Sequence, residues 1–359
     1  MPKKIIIISI FMSFFFIMAG CRNSEATSQQ SEDEWNFQVD EMLNDDLKAN
    51  FSVEFPDDFK PEVIEAAADK DYFLNNKEQI KEFLFKDIPT QEIKEEVNDY
   101  EGLTTVIIRN NERCLLFGND SSSLYYSNNE TLSDCYNLIY SGGTSAQIFS
   151  RDLERFKGDE LPGISQEAAR ELSDEMLTMS GFKAGFEPEC YALDVNVMND
   201  IWEENNFSSV SFTNRSEWIE GEDAYLFIYQ GNVNGIAVGY SENAGLSSFA
   251  YNLVGKDGII TSSVGCNLSK IESETVDVIP PEQMYEIIKN RFNNLMIKKV
   301  EITDLSLTYE ITEYSFDTFI AELSPVWICT FSYEESDTNN SSNKVINTFR
   351  FNAITGKDI

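Results

Sequence analysis

The 359-residue chain contains no histidine, and that absence narrows what its side chains can do chemically. Without imidazole there is no Ser-His-Asp or Cys-His nucleophile, no His-ligated zinc and no histidine switch near neutral pH. Carboxylate, Lys, Tyr, Cys and Ser chemistry remains. Cys21 is set apart by what precedes it: Lys3-Lys4, an apolar run from Ile5 to Met18, then the small residues Ala19-Gly20. Positive, apolar and small is the order of a secretory signal ending at a cleavage site. The apolar run falls short of the ~20 residues of a comfortable membrane span. A thiol in that place can be alkylated by a diacylglyceryl group, and two acyl chains anchor a protein where one does not. The other candidate is acidic. Glu217, Glu220, Glu222 and Asp223 surround Trp218, the residue types of a sugar-cleaving carboxylate pair beside an aromatic platform. Such catalysis needs two carboxylates at a set separation, one with a raised pKa. Chance clusters are expected among 62 acidic residues.

No phosphate loop, EF-hand loop or Gly-x-Ser-x-Gly elbow is present. Ser141-Gly142-Gly143-Thr144 lacks a following Lys and reads as a hairpin loop. The expectation is therefore no catalytic residue, no cofactor and no metal site. The five remaining cysteines, Cys114, Cys135, Cys190, Cys266 and Cys329, are widely spaced and odd in number. They read as core thiols, with Cys114 and Cys135 the one pair near enough in sequence for a bridge.

The residues ending at Cys21 resemble the lipobox of bacterial lipoproteins, with Met18 where Leu is usual. The resemblance implies a signal peptide over residues 1–20 and lipidation of Cys21 by acyl chains such as palmitate. It places the chain on the extracytoplasmic face of the bacterial cell membrane, with the membrane as a partner through that lipid. The alternative is an uncleaved N-terminal membrane helix. The net charge of -35 disfavours nucleic acid, which requires clustered Lys and Arg, and repels anionic headgroups. Its bland meaning is solubility.

Composition is that of a folded protein, 42% hydrophobic and 13% aromatic, long enough for two or three domains. Small, polar and acidic residues from Arg22 to Glu34 form a flexible tether, drawn over 21–46 to include the transitional Trp35 to Asp46. Leu47 to Phe55 alternates as a strand, broken by Pro56, Asp57, Asp58 and Pro61 before a short Ala-rich segment. Ile80, Phe83 and Leu84 mark a helix over Lys77 to Lys86, stopped by Pro89. A second short helix is expected over Gln91 to Val97. Strands follow at Leu103–Arg109, Arg113–Phe117, Leu124–Ser127, Leu132–Tyr140 and Ala146–Phe149. Ser165 caps a helix ended by Gly181, and Met198 to Glu204 forms another whose Met198, Ile201 and Trp202 face the core. Strands then run at Cys190–Val197, Ala224–Gln230, Gly235–Tyr240, Ser247–Val254 and Gly258–Val264. Tyr225, Phe227 and Tyr229 share one face, a binding platform if exposed and a sheet interface if covered; covered is the expectation, because contiguous exposed apolar patches are uncommon. Pro280 and Pro281 open a helix, and strands at Val300–Tyr314, Phe319–Tyr333 and Val345–Ala353 close the chain around a solvated loop at Glu334–Asn343. The pattern predicts an α+β fold of repeated units, each one helix packed on an antiparallel β-meander. Its domains are 47–157, 158–279 and 280–359.

Pro325-Val326-Trp327 before a strand, and Phe351-Asn352-Ala353-Ile354-Thr355-Gly356-Lys357 at the end, resemble the closing pattern of cell-envelope regulatory domains of the YycH/YycI and PepSY kind. They are also similar to uncharacterised clostridial lipoproteins with helix-plus-meander repeats. The resemblance implies a non-enzymatic surface lipoprotein that binds or regulates an envelope protein or peptide partner. The alternative is a ligand-binding or carbohydrate-active lipoprotein that uses carboxylates. A transport-type binding protein would alternate strand and helix through parallel lobes, which this pattern does not. The anchor is open to direct test. Cells fed a fatty-acid probe should label the wild-type chain and retain it in membranes, and Cys21→Ala should lose both; equal labelling of the two would remove the lipid.

Overall fold

Two large sheets, each assembled from strands far apart in sequence, carry the chain. In the computed structural model the described residues are 35–359 apart from 45, 56–58, 70–71, 101–102, 119–122, 142–150, 157–159, 211–214, 234, 240–247, 294–298, 316 and 337–341. The expected signal, Cys21, the expected tether up to Glu34, the expected loop at Ser141–Thr144 beyond Ser141 and the expected strand at Ala146–Phe149 lie outside them. Residues Trp35–Ile359 form one compact unit. The fold is α+β.

The chain enters through β1 (Phe37–Asn44), β2 (Leu47–Val53) and β3 (Glu62–Ala68). β1 lies within the region read as tether and is a strand because it pairs with β2 along its length, Val39 opposite the buried Phe51. The Ala-rich segment is also a strand: Ile64, Ala66 and Ala68 alternate into the interior. Short helices α1 (Tyr72–Asn75) and α2 (Lys77–Leu84) follow, the latter burying Ile80 and Leu84 as the spacing requires. The expected helix over Gln91–Val97 is instead a 3-10 turn at Thr90–Glu92 and then β4 (Lys94–Tyr100). That stretch has no apolar helical stripe, and pairing with β5 (Leu103–Arg109) decides its conformation.

β6 (Arg113–Phe117) and β7 (Leu124–Asn128) continue the sheet. The expected strand over Leu132–Tyr140 is α3 (Glu130–Ser141). Cys135, Tyr136, Ile139 and Tyr140 are buried at helical spacing, and the Asn129 side chain accepts from the Leu132 amide at 3.1 Å. α4 (Gln166–Ser180) starts and stops where its caps place it. Ser165 Oγ accepts from the Ala168 amide at 3.2 Å, and Gly181 takes a left-handed φ of 68°. A Cβ on Gly181 would sit 1.9 Å from the Tyr72 ring, so only glycine fits. Next come β8 (Glu189–Leu193), α5 (Val195–Glu204), β9 (Ala224–Gln230), the small hairpin β10 (Asn232–Val233) and β11 (Ile236–Ala237), β12 (Phe249–Gly255) and β13 (Gly258–Val264). The eight-stranded sheet runs β4-β5-β6-β7-β13-β12-β9-β8. α4 covers one face, over Tyr225, Phe227 and Tyr229, while α3 and α5 cover the other, over Leu226 and Leu253. β9 is therefore buried on both faces, which explains its unbroken apolar sequence.

β14 (Leu268–Thr275), α6 (Pro281–Asn293), β15 (Val300–Ser315), β16 (Ile320–Ser336) and β17 (Ser342–Asn352) complete the second, seven-stranded sheet. Its order is β1-β2-β15-β16-β3-β14, with β17 also on β16. α6 lays Met284, Tyr285, Ile288 and Phe292 against Trp327, Cys329 and Phe331. The expected division into three contiguous domains does not match this topology. Strands from 37–68 belong to the sheet of residues 300–352, and strands from 103–128 pair onward with β13. One helix followed by its own meander is replaced by sheets drawn from both halves of the chain. Pro325 departs from expectation too, since it lies inside a long central strand. β16 pairs with β3 up to Leu323 and with β17 from Val326, so proline falls where the partner changes. Its carbonyl accepts from Ala353 N on that side, and its missing N–H faces the same gap.

Trp327 ties α6 to this sheet. It is fully buried, and its Nε1 donates to the Ile279 carbonyl at 2.9 Å, just before the helix. Trp327→Ala should cost about 3–5 kcal/mol through the cavity it leaves. Trp327→Phe, which mainly strands the Ile279 carbonyl, should cost about 1–3 kcal/mol. Denaturant titration of both variants checks the ordering.

Candidate functional site

The acidic group singled out in sequence is part of the framework. Trp218 is buried, packed on Tyr136 and Trp202, with the Arg215 guanidinium 4.4 Å from its ring centroid. Glu222 is held by two Arg215 bonds of 2.5 and 2.6 Å and by the Ile219 amide at 2.9 Å. Burial opposes its ionisation, but those bonds outweigh it and keep its carboxyl below the usual range. Asp223 is buried and accepts from the Val195 amide at the start of α5. No aromatic platform is offered by the described residues of this group. Met198, Ile201 and Trp202 are core, as their spacing predicts. Cys114 and Cys135 are free thiols, the first on a strand and the second on α3. Among the described residues no cluster of His, Cys, Asp or Glu has the geometry to hold a metal ion.

The structure brings together a different set of acids, which sequence reading missed. On the solvent face of the seven-stranded sheet, Glu313 of β15 lies opposite Glu322 of β16, Glu322 opposite Glu65 of β3, and Glu65 opposite Glu272 of β14. This row of four glutamates crosses four neighbouring strands and, with Glu274, lines a shallow groove of about 580 Å³. The alternation explains the placement. Ile64, Ala66, Ala321 and Leu323 point into the core, so Glu65 and Glu322 between them must point out. Like charges directly opposite destabilise a sheet by roughly 0.2–1 kcal/mol per pair. Among the described residues the groove lining holds no Lys or Arg. The cation on β14, Lys270, is engaged by Glu62 at 2.6 Å. Elsewhere on this sheet an acid is answered: Arg350 Nε donates to Glu310 at 2.8 Å. Nothing in the local sequence of any one strand could reveal the row, because pairing alone creates it.

A second groove, about 490 Å³, follows β15 where its edge changes neighbour. β2 pairs with it only at residues 300–302, and Val238 meets it again at Tyr309. Between them lie Asp304, Ser306 and Thr308, with Glu54, Phe55, Phe186 and Glu189 alongside. Burial pushes the Asp304 carboxyl above its usual range, against bonds from Ser306 Oγ at 3.0 Å and the Leu305 amide.

No protein-family model matches the chain, and no curated protein matches it. It is similar in fold to a solved structure, that of an uncharacterized protein from Eubacterium rectale, determined at 1.45 Å resolution. The TM-score is 0.65 over 90% of this chain and 93% of that one, at 16% identity. That likeness speaks for the fold alone.

The Asp304 shift has a signed consequence. A carboxyl whose pKa is raised by folding weakens the native state as pH climbs from its unfolded value of 3.8 through the folded one. Asp304→Asn should therefore melt higher than wild type at pH 7, and the advantage should shrink as pH falls toward 4. Thermal melts across that range check it; a constant offset would mean another cause.

Proposed function

We propose that the chain is a surface lipoprotein, anchored through Cys21, that binds or regulates an envelope protein or peptide partner and has no catalytic activity of its own. The observation that carries this reading is the acidic sheet face, an open, shallow surface spread over four strands with an exposed strand at its margin. Macromolecular partners dock on such surfaces, whereas small ligands favour enclosed, mostly apolar pockets. The lipobox resemblance supports the setting, since a tethered domain meets envelope proteins at raised effective concentration. Among the described residues no helix is long and apolar enough to cross a membrane. We further propose that the two helix-backed sheets are variants of one helix-on-sheet packing plan, α4 on one and α6 on the other.

One observation favours the second reading, a carboxylate-dependent enzyme or ligand-binding lipoprotein. Asp304 is raised in a groove that also holds Glu54, Glu189 and two phenylalanines. The two readings separate in one experiment. The purified chain should not turn over peptide, ester or glycoside substrates, and the full lipidated chain should cross-link to the same envelope protein in repeated trials. Robust turnover abolished by Asp304→Asn without loss of folding would replace the first reading with the second.

A further inference from the structure

β14 is the outermost strand of its sheet, and every residue from Ser269 to Thr275 is exposed. Its backbone polarity can be read off. The Val276 amide donates to the Pro61 carbonyl at 3.1 Å, toward β3. Backbone groups alternate sides along an antiparallel strand, so Glu274 and Glu272 also bond inward, and Ser273 and Thr275 turn N–H and C=O outward. Among the described residues no strand takes up that outer edge. Such a row of outward donors and acceptors is a template for another strand.

We infer that the outer edge of β14 accepts an extended basic segment of a protein partner as an added strand, with its Lys or Arg side chains over the glutamate row. This rests on the partner-binding reading above and names the site and the chemistry of the partner. Charge chooses the occupant. Strands lie about 4.8 Å apart, so basic side chains on the added strand reach Glu272 and Glu274 directly and Glu65 one strand further in. Glu322 and Glu313 lie beneath whatever part of the partner continues across the groove. A second copy is the wrong occupant. Antiparallel pairing of β14 with itself would set Glu272 and Glu274 of both copies side by side, in a chain of net charge -35. Protection of an edge against aggregation is a simpler use of charge, but it needs charges only on the edge strand. Glu65, Glu322 and Glu313 stand on three inner strands, at mutually opposed positions, where edge protection gains nothing from them. The exposed Ile271, at the β14 bulge, adds an apolar contact at the same margin.

The test uses the full chain in detergent and two capped, labelled peptides of the same composition and charge. In one, lysine and valine alternate; in the other, the lysines form a block ahead of the valines. Anisotropy should show saturable binding of the alternating peptide, at least tenfold tighter than the blocked one and weakened by salt. Ser273→Pro, which removes an outward N–H and leaves the β3 ladder intact, should cost at least tenfold. Ser273→Ala, which removes only the bond to Glu62, should not. Glu65→Gln with Glu272→Gln should cost at least tenfold. If Ser273→Pro does not fold, hydrogen exchange on the wild type decides, since the bound peptide should slow exchange of the Ser273 and Thr275 amides. Equal affinity for both peptides, binding untouched by Ser273→Pro, or unchanged exchange at those amides would overturn the inference in favour of diffuse charge attraction. Calcium binding lost in the double glutamine variant, with no peptide binding, would overturn it in favour of a cation site. If the full chain still cross-links its envelope partner when Ser273→Pro is present and the peptide does not bind, the edge assignment fails and partner binding stands. No partner and no peptide would end both.

Discussion

The seven-stranded sheet depends on one strand. β16 spans 17 residues and pairs with β15 along one side and with β3 and then β17 along the other. Its Ala321, Leu323, Trp327, Cys329 and Phe331 are almost completely buried, so it supplies the floor for α6 and for the β10–β11 hairpin. Remove that floor and both β2 and β3 lose their place in the sheet, because β3 meets β16 directly and β2 is joined to it through β15. Closure across the chain is feasible because loop entropy grows slowly with length, each doubling costing about 0.6 kcal/mol. A single buried aromatic contributes on the order of 2–3 kcal/mol. The ion pair at the seam, Lys48 with Glu301 at 3.0 Å, is a third or more exposed on both sides and adds little. Hydrophobic burial on β16 therefore closes the sheet, and the pair only trims its register.

This explains which parts of the fold are legible in the sequence. Helix ends are readable where a side chain acts locally: Ser165 and Gly181 at α4, Pro281 at α6. The same holds for Asn352, which accepts from the Ile354 and Thr355 amides at the last turn. Strands with strong period-2 or fully apolar runs, such as β9 and β13, emerge at their observed bounds. β14 is invisible because a strand exposed on both faces carries no hydrophobic period. β4 resembles a helix because Lys and Glu fit helices until a neighbour supplies a ladder. α3 resembles a strand because its aromatic and β-branched content masks the spacing of Cys135, Tyr136, Ile139 and Tyr140.

The domain boundaries mislead for a related reason. Turn residues and prolines such as Pro89 and Pro281 mark where one element gives way to the next, whereas Pro325 lies inside β16. They say nothing about which strand lies beside which. Residues 47–59 read as the opening of an N-terminal domain because they come early, yet Leu47, Ala49, Phe51 and Val53 complete a core whose members beyond the first strands come after residue 275. The candidate site is hidden by the same blindness. Glu65, Glu272, Glu313 and Glu322 are unremarkable singly among 62 acids, and they become a site only through the registers of three strand pairs.

The glutamate row also bears on what the sheet tolerates. Three opposed pairs at roughly 0.2–1 kcal/mol each remove about 0.6–3 kcal/mol, up to a sizeable part of a typical stability of about 5–15 kcal/mol. Exposure and salt soften the cost, since water screens surface charges within about 8 Å at physiological ionic strength. What screening does not do is exchange the residues. Glu310 lies on the same sheet with Arg350 answering it, so a basic neighbour is available to this architecture and is used where a carboxylate is buried. The row faces solvent with no such answer in its described lining. Any cationic group brought there gains attraction and relieves repulsion at once, with no change of backbone. That double gain is the physical reason why a cationic group would be favoured over an anionic one at this face.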